Sequence, residues 1–522
     1  MGRKPLVYFI FAALLILLGR VPAIIAPPWD IDEGLYAKIG QALSQGQLLY
    51  RGVWDNKPPA LYFLFSWIGT ISSDPSAYRL AATLFLIATA GVIFLIARHA
   101  YRDTRANWAL AIFSFLAVVP ILETNVSNAE IFFLLPTSLA ILLTTLIEWG
   151  RLNRRGYLAV GVLLGLGFLF KVVVVFDALA IVSLLVLRYG RQIMTQLGYL
   201  VLGGAMVLIG PGLYLLSSGL VPDFIRAAFL NNFGYVGSGN LVSVSALDIN
   251  NPWVTVTGKI VSLAAALWAV RTQFKKEVTP VTLFYLWLTF TLFGALLSGR
   301  PYLHYLIASM GALSLLIPDL FGNVWPLYKI TKISPINWFK GTAVILGVAA
   351  ALVLGFWGKV ELITQTPELT RITQGYYANA FGYLTGKISQ ADFYSFFGPT
   401  VGLNFELSDY LKTHTVSTDR VFIWGNAPWV YYLADRENAS RYLVAYQVNQ
   451  VKEAAGEIAS ELSSQPPEVI VETNEPTFIG KSGSPTPAFP WLDQFVRSNY
   501  RLVDRIGAAD IYRLNLRMAR RY

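Results

Sequence analysis

The chain has 522 residues, of which 55% are hydrophobic and only 14% are charged, with a formal net charge of +10. Soluble domains carry about 25% charged residues, so this composition excludes an ordinary soluble protein and indicates a polytopic helical membrane protein. The basic residues lie in short loops between apolar runs, where they act as orientation signals, so we do not expect nucleic-acid binding. The absence of cysteine excludes disulfides and thiolate metal sites.

Long apolar runs recur along the first two thirds of the chain, and about eleven of them approach the length of about 20 residues that crosses a bilayer. They are residues 6–25, 78–98, 107–122, 130–148, 156–170, 172–188, 197–217, 253–270, 280–298, 302–318 and 340–357. No Ala-x-Ala site precedes Pro27 and Pro28, so we expect the first run to be retained as a helix and not cleaved as a signal peptide.

The basic loops predict the orientation of these helices. If Arg3 and Lys4 are cytoplasmic, the basic loop after residue 97 must be cytoplasmic too, and this requires one net crossing between residues 26 and 97. The run 78–98 supplies that crossing, so the apolar run 59–71 is predicted to be an interfacial or re-entrant helix on the outer side. The residues that then face the cytoplasm are Arg98, Arg102, Arg105, Arg151, Arg154, Arg155, Arg188, Arg191, Arg271, Lys275, Lys276, Lys329, Lys332 and Lys340.

This topology predicts a multi-pass protein of the cell membrane in three parts. Residues 1–360 form a transmembrane catalytic domain whose first outer loop is 26–77. Residues 361–399 are a segment that connects this domain to a small extracytoplasmic α/β domain, residues 400–522. In the last part, apolar β-branched runs bounded by turn residues predict strands, and helical spacing predicts one helix between them. The predicted strands are 420–424, 468–472, 500–503 and 509–514, the last two forming a hairpin, and the helix is 451–462.

The predicted outer loops collect a group of acidic residues, whereas the inner loops hold basic anchors, so any chemistry is expected on the outer face. These loops hold Asp30, Asp32, Glu33, Asp55, Glu123, Asp223, Asp248 and Arg300, with Glu130 at the start of a helix. A carboxylate within reach of a hydroxyl can take its proton as it attacks, so the first cluster could supply a general base or a metal ligand. A solvated acidic loop is the alternative.

Three further ionisable residues each have a functional and a structural interpretation. Lys57, before two prolines, could neutralise a lipid phosphate or simply extend to the interface. Glu130 could be a second catalytic carboxylate or could compensate a helix dipole. Lys171 could face the outer cavity or form an intramembrane ion pair with Asp177.

A last cluster lies at an outer helix start, in the segment from Ser298 to Tyr305. It holds Arg300, Tyr302, His304 and Tyr305 within six residues. Arginine and a protonatable histidine suit a phosphate or pyrophosphate leaving group.

These motifs in this order resemble the protein O-mannosyltransferase and lipid A aminoarabinose transferase superfamily. The resemblance rests on Asp30-x-Asp32-Glu33-x-x-Tyr36 after a first helix, Lys57-Pro-Pro before an aromatic-rich helix, an outer acidic residue, a Gly-Leu-Gly-Phe-Leu-x-Lys run and Arg-x-x-x-His-Tyr. It spans roughly residues 1–360 and implies a GT-C glycosyltransferase fold and polyprenyl-phosphate sugars as donors.

The resemblance also implies roles for the residues that match the family. Asp32 would be the catalytic carboxylate with Glu33 as its neighbour, and Glu130 the second outer acidic residue. Lys57 would contact the donor phosphate. Further positions of the same cavity would be Lys171, Arg300, Tyr302, His304 and Tyr305, with Asp30 and Tyr36 beside them. Aminoarabinose transferases carry an arginine where this chain has Leu35. The predicted outer domain contains no Trp-Trp-Asp motif, which argues against an oligosaccharyltransferase.

The expected reaction moves a sugar from a polyprenyl phosphate to a hydroxyl of a lipid, glycan or protein with inversion. Asp32 would deprotonate the acceptor, and Lys57 and Arg300 would meet the charge on the leaving phosphate. A divalent ion could be held by the carboxylates, although no spacing requires one. The alternatives are a lipid-linked-sugar flippase, which would need charges near the midplane, and a non-catalytic envelope assembly protein.

Overall fold

The computed structural model of the chain describes residues 3–101, 104–150, 152–239, 242–244, 247–249, 252–275, 277–300, 302–324, 366–473 and 487–515. The predicted span 340–357 lies outside the described residues, as do Arg102, Arg151, Lys276, Lys329, Lys332 and Lys340. The chain divides into two units. The helical unit comprises Met1–Val21, Leu80–Ser218 and Phe233–Thr366, and the mixed unit comprises Pro22–Arg79, Gly219–Asn232 and Pro367–Tyr522.

The described part is mostly helical. In chain order the α-helices before the first β-strand are α1 (Arg3–Gly19), α2 (Val21–Ile25), α3 (Ile31–Ser44), α4 (Ala60–Ile71), α5 (Ser76–Ala100), α6 (Arg105–Leu116), α7 (Ala129–Glu148), α8 (Tyr157–Phe170), α9 (Val175–Tyr189), α10 (Met194–Ser217), α11 (Val221–Ile225) and α12 (Asn231–Gly239). Two short strands follow, β1 (Val242–Val244) and β2 (Leu247–Ile249). The helices that follow are α13 (Pro252–Gln273), α14 (Pro280–Leu297), α15 (Met310–Val324), α16 (Thr366–Leu384), α17 (Gln390–Ser395) and α18 (Pro399–His414).

The remaining elements form an α/β region. They are β3 (Arg420–Trp424), α19 (Pro428–Ala434), β4 (Glu437–Asn438), α20 (Gln447–Gln450), α21 (Ala454–Ser464), β5 (Val469–Thr473), α22 (Pro490–Asn499), β6 (Tyr500–Ile506) and β7 (Ala509–Leu514). The predicted strands, the hairpin and the helix between them are all confirmed: β3 and β7 have the predicted bounds, and the ends of β5, β6 and α21 are shifted by up to three residues. A short run of β-branched residues between turns is therefore a reliable strand signal here.

Seven segments of the described residues are long and apolar enough to cross a membrane. They are Pro5–Ile25, Ser76–Ala100, Ala129–Glu148, Val172–Ser217, Trp253–Gln273, Pro280–Leu297 and Leu303–Leu320. The predicted spans 172–188 and 197–217 correspond to α9 and α10, which a kinked 3₁₀ turn over Gly190–Ile193 separates, and the predicted run 156–170 corresponds to α8. Helix α6 has 12 residues, fewer than a full span needs. The chain is thus a multi-pass helical membrane protein, while the number of crossings and their orientation stay predictions.

Within the helical unit, α8 and α10 approach closely through glycines. A Cβ atom at Gly161 would overlap the Leu200 carbonyl oxygen, and one at Gly203 would overlap the Leu158 carbonyl oxygen. Small residues at such positions let two backbones touch, which gains dispersion energy where lipid offers no hydrophobic driving force between helices. This packing fixes α8, at whose end Lys171 lies.

In the mixed unit the C-terminal sheet has the strand order β4-β3-β5-β7-β6. Strand β3 pairs in parallel with β4 and β5, and β7 pairs antiparallel with β5 and β6. Parallel strands need crossover connections, which α19 and α21 supply. Buried residues of β3 and β5, such as Phe422 and Ile470, form the centre of the sheet.

The predicted first outer loop folds in the same unit as this sheet. Helix α3 lies against α4 and α19, and the Trp429 indole N–H donates to the Asp30 carbonyl oxygen at 2.7 Å. The Lys38 ammonium donates to the Arg436 carbonyl oxygen at 2.9 Å, and the Gln447 amide donates to the Trp54 carbonyl oxygen at 3.0 Å. Residues almost 400 positions apart therefore build one surface around α3.

Helix α4 corresponds to the apolar run 59–71. It has 12 residues, which is too short for a candidate span. Pro58 and Pro59 precede it and Ser72 ends it in extended conformation. A proline at the start of a helix costs no hydrogen bond, because the first N–H groups of a helix lack intrahelical partners. The structure is consistent with an interfacial helix, and its position at a membrane stays a prediction.

Candidate functional site

The first turn of α3 carries the three clustered carboxylates. Asp30 precedes the helix, and its Oδ1 atom accepts the Glu33 backbone N–H at 3.0 Å, so it caps the helix. Asp30 and Glu33 are buried, with exposed fractions of 8% and 0%, whereas Asp32 is half-buried. Of the three, Asp32 is therefore the carboxylate that a substrate could reach.

Glu33 forms a buried ion pair. Its carboxylate meets the Arg79 guanidinium at 2.6 Å, and both side chains are almost fully buried. Arg79 also donates to the Pro27 carbonyl oxygen at 3.0 Å and to that of Ala26. The ion pair thus connects α5 to α3, and the two further hydrogen bonds connect α5 to the segment just before α3. Arg79 also neutralises the negative charge of Glu33 next to Asp32. Sequence reasoning missed Arg79, because nothing in the local pattern connects it to Glu33.

Asp32 is contacted from the C-terminal region. The Tyr446 hydroxyl donates to its Oδ1 atom at 3.4 Å, a long hydrogen bond. Tyr446 lies just before α20, and its backbone N–H donates to the Asn426 Oδ1 atom at 3.2 Å. Helix α3, near the start of the chain, therefore carries the candidate base, and a segment more than 400 residues later contacts it.

Lys57 belongs to a polar cluster at the other end of the first loop. Its ammonium lies 3.2 Å from the Asp55 Oδ2 atom and 4.8 Å from the centre of the Tyr36 ring. The Tyr62 hydroxyl donates to the same Asp55 oxygen at 2.7 Å. Burial and the Asp55 carboxylate raise the pKa of Tyr62 well above its usual range, so Tyr62 stays a donor. Asp55 and Tyr62 were not among the predicted site residues.

In the helical unit, Glu130 and Lys171 form an ion pair although 41 residues separate them. The Lys171 ammonium also lies 4.4 Å from the centre of the Tyr305 ring. The Tyr305 hydroxyl is 2.9 Å from that of Tyr235. The Arg300 guanidinium lies 4.8 Å from the Tyr235 ring centre. The structure thus brings together three of the predicted residues, and Tyr235 joins them to Arg300.

The ion pair between Lys171 and Asp177 that the sequence allowed is wrong. Asp177 instead accepts the Trp287 indole N–H at 2.6 Å. Lys171 ends α8 in extended conformation, and a 3₁₀ turn separates it from α9. The break in the helix directs the ammonium towards α7 and Glu130.

His304 extends this cluster. Its Nδ1 atom is 2.5 Å from the Glu123 Oε2 atom, and its ring stacks on Tyr302 with 5.6 Å between the centroids. Tyr305 meets the imidazole edge-on at 4.7 Å. Glu123 has a positive φ of 55°, a conformation that non-glycine residues seldom adopt. The sequence signal that could have identified Glu123 as a site residue is its position in a short predicted outer loop.

The predicted site residues therefore fall into two groups. Those of the mixed unit are Asp30, Asp32, Glu33, Tyr36 and Lys57, and those of the helical unit are Glu130, Lys171, Arg300, Tyr302, His304 and Tyr305. Among the residues described, no group of three or more histidine, cysteine, aspartate or glutamate side chains could hold a metal ion. Metal dependence stays an open prediction.

With this geometry in place, the chain can be compared with known proteins. Residues 56–215 match the family model of dolichyl-phosphate-mannose-protein mannosyltransferases. This segment includes Lys57, Glu130 and Lys171. No protein of curated function matches the chain significantly in sequence.

Two solved structures match over nearly the full length of the chain. ArnT from Cupriavidus metallidurans bound to undecaprenyl phosphate aligns with a TM-score of 0.54 and 13% identity, covering 98% of each chain. Its apo state aligns with a TM-score of 0.54 and 15% identity, covering 98% of this chain and 97% of that one. The chain has the GT-C fold. The expected fold, with its small C-terminal sheet domain, is confirmed.

A third solved structure matches less closely. The oligosaccharyltransferase AglB from Archaeoglobus fulgidus, in complex with an inhibitory peptide and a dolichol-phosphate, aligns with a TM-score of 0.46 and 13% identity. The match covers 91% of this chain and 70% of that one.

Proposed function

We propose that this GT-C protein is a membrane glycosyltransferase that moves a sugar from a polyprenyl-phosphate donor to a hydroxyl acceptor, with inversion, at the outer face of the cell membrane. The observation that carries the proposal is the half-buried Asp32 on a helix whose cap and neighbouring carboxylate are both tied down. The family match and the ArnT structure with undecaprenyl phosphate support a lipid-linked donor.

Asp32 is proposed to act as the general base. It takes the proton of the acceptor hydroxyl, whose oxygen attacks the anomeric carbon from the face opposite the phosphate; the bond to the phosphate oxygen breaks in the same displacement. A general base contributes about 10²–10⁴ in rate. Glu33, by contrast, is proposed to be a positioning residue, since its carboxylate is fully buried against Arg79.

The leaving phosphate needs positive charge. Lys57 is proposed for this role because its side chain remains 15% exposed while Asp55 and the Tyr36 ring hold its ammonium in place. In the helical unit, Lys171 and Arg300 are the corresponding cations, with Glu130 and Tyr235 orienting them. A charge-assisted hydrogen bond to a phosphate oxygen is about twice as strong as a neutral one.

Tyr302, His304 and Tyr305 are proposed to line the region of the phosphate in the helical unit. A histidine paired with a carboxylate has a fixed tautomer and ring orientation, as Glu123 provides for His304. The donor sugar is proposed to be a hexose or a pentose. Leu35, at the position where aminoarabinose transferases carry arginine, is fully buried and presents no charge to a donor.

Substitution of Asp32 by asparagine tests the proposal. We expect turnover to fall at least about 10²-fold because asparagine cannot accept the proton. Purified protein would be incubated with a panel of polyprenyl-phosphate sugars and acceptors, with and without a chelator, and donor consumption measured. Asp409→Asn is the matched control, since Asp409 is an exposed carboxylate of the same unit.

Normal transfer by Asp32→Asn, with donor consumed at the wild-type rate, would reject Asp32 as the base. Movement of intact lipid-linked sugar across vesicles without hydrolysis or transfer would favour a flippase instead. The chelator arm decides whether a divalent ion takes part.

A further inference from the structure

Helix α16 (Thr366–Leu384) carries an apolar stripe on its surface. Phe381 and Leu384 are 62% and 57% exposed, and Tyr377, one turn before Phe381, is half-buried. Their spacing of four and then three residues places the three side chains along one side of the helix. Single exposed apolar residues are ordinary on a protein surface, whereas an aligned stripe indicates a surface that meets something apolar.

An adjacent face of α16 is packed into the mixed unit. Tyr376 and Ala380 are buried there in a largely aromatic core cluster, and Tyr383 packs against this cluster. The Tyr383 ring stacks on that of Phe393 with 4.5 Å between their centroids. These contacts fix the rotation of the helix about its axis, so the fold itself determines the direction in which the stripe points.

The same cluster includes the end of the first candidate membrane span. That apolar segment, Pro5–Ile25, ends at Ile25. Ala26 belongs to the cluster together with Tyr376 and Ala380, and Ile25 packs against it. The residues that end a span lie at the boundary between the hydrocarbon and the head groups of the bilayer. Helix α16 therefore contacts the chain at the level of this boundary.

The composition of α16 suits a membrane interface better than the hydrocarbon core. The helix has 19 residues, about the length of a span, yet it is not among the candidate spans of the described residues, because its sequence is too polar. An apolar stripe on an otherwise polar helix is typical of helices that lie in the plane of the interface. Tyrosine residues such as Tyr377 are enriched at that level.

A cation lies at the end of the stripe. The Lys387 ammonium is 5.7 Å from the centre of the Phe381 ring, and Lys387 is exposed. A lysine beside lipid extends its apolar stem along the acyl chains and keeps its ammonium among the polar head groups. The charge is thus where an interfacial helix would carry it.

We propose that α16 lies at the membrane–water interface, with Phe381 and Leu384 in contact with lipid and Lys387 among the head groups. The contact of α16 with the end of the span Pro5–Ile25 favours lipid over a second copy of the chain as the occupant of the stripe. The predicted connecting segment 361–399 is then a membrane-binding element, which gives the C-terminal region its own contact with the bilayer.

This contact is also linked to the segment that leads into α3. Trp29 packs against the same core cluster, and its ring lies 5.9 Å from that of Phe397. The next residue, Asp30, caps α3. Helix α16 therefore connects the lipid contact to the start of α3 through packed side chains of one unit.

The absence of cysteine from the chain permits a site-specific test in the full-length protein. Single cysteines at Phe381 and Leu384 would be labelled with a nitroxide, and the protein would be reconstituted into lipid nanodiscs. Electron paramagnetic resonance then compares relaxation of the label by oxygen, which concentrates in the bilayer, with relaxation by a water-soluble nickel chelate. We expect the ratio of oxygen to nickel collisions at Phe381→Cys and Leu384→Cys to exceed that of the controls several-fold.

The controls are two apolar residues of the same unit with similar exposure. Val416, between α18 and β3, is 61% exposed, and Leu502, on β6, is 52% exposed. Labels at Val416→Cys and Leu502→Cys should collide mainly with the nickel chelate. All four labelled proteins should melt close to the wild-type temperature, because the replaced side chains are exposed, and this confirms that each label reports on the folded chain.

Three results would overturn the proposal. Frequent collisions with the nickel chelate at both Phe381 and Leu384 would show that the stripe faces water. Infrequent collisions with both reagents would show that protein covers it, as in an interface between two copies of the chain. Equal ratios at all four positions would show that the stripe has no distinct surroundings.

The membrane contact of α16 is independent of the proposed function, because the labels report their surroundings without any catalysis. A protein that transfers no sugar from any donor, but has labels at Phe381 and Leu384 relaxed mainly by oxygen, would reject the transferase and leave the membrane contact in place. Transfer by a protein whose stripe faces water would do the reverse.

Discussion

Asp32 and Glu33 follow each other in the chain, yet α3 directs their carboxylates to different surroundings. Successive residues of a helix are rotated by about 100°, so one side chain can face a core while its neighbour faces a cavity. Glu33 meets Arg79 with both groups buried, whereas Asp32 stays half-buried beside Tyr446. The two residues were assigned together to catalysis from the sequence, and their surroundings favour separate roles.

Replacement of Glu33 by alanine is expected to destabilise the protein by about 3–5 kcal/mol, because Arg79 would be left as an unpaired buried charge. Unfolding of the detergent-solubilised protein, followed by temperature or denaturant, measures this. Asp32→Asn in the same helical turn is the control and should change stability little. A Glu33→Ala protein as stable as the wild type but inactive would instead place Glu33 in catalysis.

At the scale of elements, α8 and α10 show how the helical unit places a charged residue. Their backbones touch at Gly161 and Gly203, and α8 ends at Phe170 so that Lys171 leaves the helix axis. A branched side chain at either glycine would separate the helices. The pairing of Lys171 with Glu130 on α7 therefore depends on residues that make no contact with either charge.

Gly203→Ala is expected to destabilise the protein by about 1–3 kcal/mol, since the new methyl group would overlap the Leu158 carbonyl oxygen. Gly198→Ala on the same helix is the control, because a Cβ atom there meets nothing within 4 Å and alanine favours helix by up to about 1 kcal/mol. Thermal melting of the two variants should therefore shift in opposite directions. Equal shifts would contradict the close approach of α8 and α10.

At the scale of the whole molecule, the first loop and the C-terminal region form one unit. Trp429, Arg436 and Gln447 each make a hydrogen bond to the segment 30–54. The Lys38 ammonium is buried against Arg436, and this burial lowers its pKa to about 8. The surroundings of Asp32 thus depend on residues that the sequence assigned to a separate domain.

Removal of residues 367–522 is therefore expected to abolish transfer and to make the loop 26–77 sensitive to protease, because the partners of α3 are lost. Donor consumption and limited proteolysis of the chain 1–366 measure the two effects. Expression of 1–366 together with 367–522 as separate chains is the control for covalent continuity and should restore part of the activity. Transfer at the wild-type rate by 1–366 alone would contradict this dependence.

Much of this architecture follows from local patterns. Apolar run length predicted the membrane helices, and β-branched runs between turns predicted the strands of the C-terminal sheet, because both signals report burial over consecutive residues. Motif order predicted the GT-C fold. Helix α6 ends at Leu116, before the end of the predicted run 107–122, since composition does not report where a buried helix breaks.

By itself, the sequence determined that the chain is a multi-pass helical membrane protein, which of its residues are ionisable and where the strands of its sheet lie. Only the tertiary structure decided that Glu33 pairs with Arg79, that Lys171 pairs with Glu130 instead of Asp177, and that Tyr446 contacts Asp32. The reason is physical: hydropathy and periodicity depend on neighbours along the chain, whereas ion pairs and cavities depend on packing between segments tens to hundreds of residues apart.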